Sequence, residues 1–242
     1  MITAIALGEL RRRYVTPTGW LALAAAQLLL AWMLFTQLEI YLRIQPRLAA
    51  LASPMGVTDL VIAPTLSTAG LALLLLVPLM GMNAFAGEAR SGRLALLLSS
   101  PAGAVTLVFG KWLGLVLSAL PVVLMGLAMA LFLALGSHID GGRLAASALG
   151  LALLLLLAAA VTVWLSSLTE QPAAAAAMAW GLLLLSWVLG GSSGLAHLSL
   201  EHHLAPFLRG EVPLASLVAF LVGTAAPLAL AVHRVWRLAG GD

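Results

Sequence analysis

Between Asp59 and Glu88 no residue carries a charge, and the same is true between Lys111 and Asp140 and between Arg143 and Glu170. Each stretch exceeds the roughly 20 residues a helix needs to cross the hydrocarbon core of a bilayer. Lipid offers no hydrogen bonds to a backbone, so segments of this kind must be helices that satisfy their own amides. The whole chain of 242 residues is 62% apolar and only 9% charged, against about 25% charged in soluble domains. The fold class that follows is an all-α integral membrane protein, one domain over residues 1–242.

Six transmembrane spans are predicted, at Gly19 to Leu38, Ile62 to Phe85, Thr106 to Leu135, Leu144 to Leu165, Ala173 to Leu189 and Leu214 to Val232. An even number places both termini on one side. Grouping the termini with the loops after spans two and four collects Arg11, Arg12, Arg13, Arg90, Arg93, Lys111, Arg234 and Arg237. The other side holds Arg43, Arg47, Arg143 and Arg209. Eight basic residues against four assign the richer side to the cytoplasm. Residues 2–15 read as an interfacial helix, since Ile2, Ile5, Ala6 and Leu10 follow helical spacing and three arginines close the segment. Thr16 followed by Pro17 marks a break before span one. Tryptophans near the span ends read mainly as interfacial anchors, and Pro64, Pro78, Pro121 and Pro227 predict kinks. The outer loop Gly190 to Pro213 carries Phe207 and Leu208 among charges and reads as a re-entrant or interfacial piece.

Several chemistries are disfavoured. Charges inside a bilayer mark ion and proton pathways, and the predicted span cores have none. Val105 and Trp112 break the nearest approach to a phosphate-binding loop around Gly110 and Lys111. With no cysteine, thiolate metal sites and cysteine nucleophiles are excluded. His197, His202, His203 and Glu201 match no strong metal-ligand spacing and read as surface groups on a loop. The net charge of +3, without basic patches interleaved with aromatics, gives no sign of nucleic-acid binding. The chain therefore holds no cofactor and no catalytic set of its own, and any work it does must be driven by a partner.

The segment Glu88 to Pro101, EARSGRLALLLSSP, lies between spans two and three and is too short to cross. As a helix it would set Arg90 and Arg93 one turn apart, and Leu94, Leu97 and Leu98 in one apolar stripe. It reads as a handle for something outside the membrane.

Three places resemble the ABC-2-type permeases, the membrane subunits of ATP-driven exporters, and most of all their gliding-motility and copper-processing branch. ELRRRYVTPTGWLAL at the start is similar to the family's approach to span one. The middle resembles its E-x-R-x-G-[TRS]-L-x-x-L-L-x-[ST]-P element followed by G-K, and FLRGEVPLASLVAFL its outer element before the last span. Gly87, where a second acidic residue is common, and Trp20, where tyrosine is frequent, depart from the pattern.

The resemblance implies a coupling helix over 88–101, with Glu88, Arg90, Gly92, Arg93, Leu94, Leu97, Leu98 and Pro101 docking in a groove of an ATPase. It implies that the interfacial helix with Glu9, Arg11, Arg12, Arg13 and Tyr14 touches the same partner. Two copies of a cytoplasmic ATPase, holding ATP and Mg, would drive a permease homodimer or a pair of related permeases in a bacterial inner membrane. A haem-exporter-type permease and a non-transporting anchor for an ATPase are the alternatives. Sparse polar groups in the spans suit a hydrophobic or lipid-linked cargo.

Overall fold

In the computed structural model the described residues are 1–48, 56–93, 103–134, 140–189 and 196–240, and among them there are helices and turns but no strand. The helices are α1 (Ile2–Val15), α2 (Pro17–Leu48), α3 (Ala63–Gly81), α4 (Ala86–Arg90) and α5 (Ala104–Ala134), followed by α6 (Gly141–Ser166), α7 (Pro172–Val188), α8 (Leu200–Leu208) and α9 (Leu214–Leu238). A π-helical turn, Thr58–Ile62, leads into α3.

Five segments are long and apolar enough to cross a membrane: Gly19–Gln45, Thr58–Arg90, Ala104–Leu133, Gly141–Ser166 and Leu214–Leu238. The protein is thus a multi-pass membrane protein. The fifth predicted span, Ala173 to Leu189, corresponds to α7, an apolar helix of only 17 residues, about 25 Å long. The first span continues beyond its predicted end at Leu38, because Glu39 and Arg43 form a 2.6 Å ion pair one turn apart that favours helix past the apolar run. Helices α3, α5 and α9 run through Pro78, Pro121 and Pro227 without interruption, and Pro64 sits in the first turn of α3.

Helix α6 is the centre of the bundle, with Leu151, Leu154, Ala158, Ala159 and Val163 buried against α3, α5, α7 and α9. Small residues let these helices approach closely, as is usual in membranes. A β-carbon built on Gly81 would stand 2.6 Å from both Leu115 Cδ2 and Thr162 Cγ2.

The two ends of the bundle differ. At one end α8 folds back on α6, capped by Ser199, whose hydroxyl accepts from the His202 amide. Leu200, Leu204, Phe207 and Leu208 are buried, and Arg143 joins Asp59 at 2.7 Å to the Leu208 carbonyl at 2.9 Å. The loop read as re-entrant or interfacial thus contains a short helix packed on the bundle. His203 bridges Ser216 and the His197 carbonyl, and among the described residues no three His, Cys, Asp or Glu side chains are placed to hold a metal.

The other end holds α1, the turn after α3, the start of α5 and the end of α9. Trp236 near the C-terminus shares a groove with Val105 and Phe109 of α5, so both chain termini lie at this end. The tryptophans do more than sit at span ends: Trp112 and Trp180 donate across to the Leu156 and Leu75 carbonyls.

Candidate functional site

Helix α3 ends at Gly81, and the chain turns sharply through Met82–Phe85 into α4. Such an elbow exposes amides that no helix satisfies. Ser166, fully buried at the end of α6, supplies the missing partner. Its hydroxyl accepts from the amides of Phe85 (3.0 Å) and Ala86 (3.1 Å) and donates to the Met82 carbonyl (3.0 Å). One side chain therefore sets where the elbow stands.

Helix α4 stops at Arg90. Gly92 takes φ +71°, a left-handed conformation that costs glycine little and ends helices readily. The single helix anticipated over 88–101 is thus broken at Ser91–Gly92, and Arg93 begins the next helical residue. Arg90, Ser91, Gly92 and Arg93 are exposed and form a basic tip. Leu94, Leu97, Leu98 and Pro101 lie outside the described residues.

Glu88 points the other way. It is buried, with Oε1 2.6 Å from Lys111 Nζ and 3.7 Å from Arg12 Nη1. The same ammonium donates to Glu9 Oε1 at 3.0 Å and lies 5.2 Å from the centre of the Phe85 ring. Glu9 Oε2 takes Arg12 at 3.0 Å and Arg13 at 3.5 Å. Two carboxylates and three cations thus join α1, α4 and α5. Placing charges in such surroundings is costly unless each is paired, which accounts for the density of partners.

Arg13 carries the network to the spans. It is buried, donates to the Met80 carbonyl (3.1 Å) and to Ser118 Oγ (3.2 Å), and Tyr14 donates to the Ser118 carbonyl (2.7 Å). Burial pulls the Arg13 guanidinium below its ordinary value and pushes the Tyr14 phenol up. For Glu9, burial acts to raise the carboxyl, but Lys111, Arg13 and Arg12 outweigh it and hold the group below its usual range.

Two glycines make this docking possible. β-Carbons on Gly110 and Gly114 would lie 2.7 Å from Ile5 Cγ2 and from Glu9 Cβ. Helix α1 sits in that notch and turns Ala6, Glu9 and Arg13 inward, while Ile2 and Leu7 stay exposed. The segment is helical over Ile2–Val15, and a mostly polar face is the one it buries. Arg11 and Arg12 remain exposed.

The profile described as "ABC-2 family transporter protein" matches residues 49–221. The chain belongs to the ABC-2 transporter family. The match takes in Glu88, Lys111 and Ser166 and leaves α1, with Glu9, outside it. No curated protein matches the chain. An ABC-2 protein is the membrane-spanning subunit of an ABC transporter, associating with an ATP-binding-cassette partner.

Of the residues singled out in the sequence, the structure gathers Glu9, Arg12, Arg13, Tyr14 and Glu88 at one place and leaves Arg90, Gly92 and Arg93 at the tip beside it. In the sequence Lys111 stands as a cytoplasmic charge and as the lysine of the G-K pair, Ser118 as an ordinary polar group within a span, and Ser166 carries no assigned role. The Gly110–Gly114 spacing was the one available signal for a helix lying across α5.

Proposed function

We propose that this chain is the permease of an ATP-driven exporter and that the elbow from Ala86 to Arg93 is where a cytoplasmic ATPase docks. The observation carrying this reading is the two-sided elbow. Its exposed tip offers Arg90 and Arg93 to an acidic partner, while its buried side is fastened to three helices through Glu88 and Ser166. A push on the tip would then be felt by α5 through Lys111, by α6 through Ser166 and by α1 through Glu9 and Arg12. ATP and Mg belong to the partner, present in two copies, and the permease works as a homodimer. Both termini and the elbow face the cytoplasm of a bacterial inner membrane, and α7 serves as the fifth of six spans.

Co-purification tests the docking. Wild-type protein brings down an ATPase from its native membrane, whereas Arg90→Glu with Arg93→Glu loses it while keeping wild-type expression. Equal recovery from both would overturn the docking assignment.

A further inference from the structure

A cavity of about 630 Å³ lies beside the ion network, between α1, α2, α3 and the elbow. This is within the range of roughly 300–1,000 Å³ that accepts a small ligand. Arg12, Arg13 and Arg93 line it, and no carboxylate does so among the described residues. Glu9 pairs with Arg12 and Arg13, and Glu88 with Arg12, but the network still holds one more cation than anions, and Arg93 adds another. Arg13 is 8% exposed, and its Nη2 has no hydrogen-bond acceptor among the described residues, only the 3.5 Å ion pair.

Apart from Thr16 and Asn83, the rest of the wall is apolar. Leu21, Ala25, Leu76 and Leu79 continue it along α2 and α3, and Leu21 and Leu79 are exposed on the flank of the bundle. A cationic end at the interface and an apolar end along two spans match the two halves of one kind of molecule. We infer that the cavity binds an anionic phospholipid of the surrounding leaflet, its phosphate against Arg12, Arg13 and Arg93 and one acyl chain between α2 and α3. Basic pockets between spans are suited to acidic headgroups for this electrostatic reason. The site shares Arg93 with the proposed docking tip, but its walls belong to this chain alone, so it can be tested with no ATPase present.

The test uses the purified, delipidated permease without any ATPase. Phosphatidylglycerol, phosphatidylcholine and inorganic phosphate are titrated separately, with native mass spectrometry reading bound lipid and thermal unfolding reading stabilisation. One phosphatidylglycerol is expected to bind about tenfold more tightly than phosphatidylcholine, and inorganic phosphate to give little stabilisation. Arg93→Glu should weaken that lipid about tenfold by reversing one charge, and Leu79→Trp should displace the chain while leaving lipid-free unfolding near wild type. Equal binding of phosphatidylcholine would overturn the proposal. So would full stabilisation by inorganic phosphate, or retention of the lipid by both variants.

Discussion

Lys111 Nζ lies 2.6 Å from Glu88 Oε1, joining the first turns of the third span to the elbow 23 residues earlier. Glu9 completes the set from α1 at 3.0 Å. The ammonium is 2% exposed and so has little water to fall back on. Removing it leaves two buried carboxylates short of a partner. Lys111→Met should cost about 3–5 kcal/mol, read as a fall in thermal unfolding temperature in detergent. Adding Glu88→Gln should recover part of that loss, since Glu88 then no longer needs the ammonium while Glu9 keeps Arg12 and Arg13. No recovery in the double variant would show that packing, not charge, holds the site.

Glu9 predicts an acid limit. Its folded carboxyl is held below the usual range, so the stability it contributes is present above the unfolded value near 4.5 and is lost as pH falls through the lower folded value. Unfolding followed from pH 7 to pH 3 should show stability dropping only below about pH 4.5. Glu9→Gln should start lower at neutral pH and lose less on acidification.

The notch on α5 predicts a steric result. Gly114→Leu would drive side-chain atoms into Glu9 and the backbone of Ala6, lifting α1 at a cost of about 1–3 kcal/mol. Protease or cysteine-labelling access at positions in α1 should rise. Gly8→Leu, on the same helix with open space around it, should leave access unchanged.

Ser166→Ala removes one hydroxyl and strands the amides of Phe85 and Ala86. Leaving buried amides unpaired costs about 1–3 kcal/mol. Hydrogen exchange should speed up over residues 85–90 and stay slow in the middle of α6. Uniform protection across the elbow would show that the turn holds without its serine.

The bundle was legible because uncharged runs announce spans, and the break at Thr16–Pro17 was legible because proline and a hydroxyl residue mark it. The interior of the end that holds α1 was not. Glu9, Arg12 and Arg13 look in sequence like a basic surface stretch, and nothing local says that Glu9 and Arg13 turn inward. Their partners lie far along the chain, Lys111 for Glu9 and Met80 and Ser118 for Arg13. Periodicity reports one helix at a time and carries no information on such pairings. The helix read over 88–101 is interrupted at Ser91–Gly92, where Gly92 takes a left-handed backbone that leucine spacing does not report. The count of spans depends on α7, whose apolar run is compositionally clear but short.

Glu9 and Lys111 are 102 positions apart, and that separation has a meaning during synthesis. A ribosome adding roughly 5–20 residues per second makes α1 about 5–20 s before the helix that will receive it. Until then the notch at Gly110 and Gly114 does not exist, and neither does the ammonium that neutralises Glu9. Helix α1 is made well before the notch that seats it, so two spans are synthesised before the charged end can close.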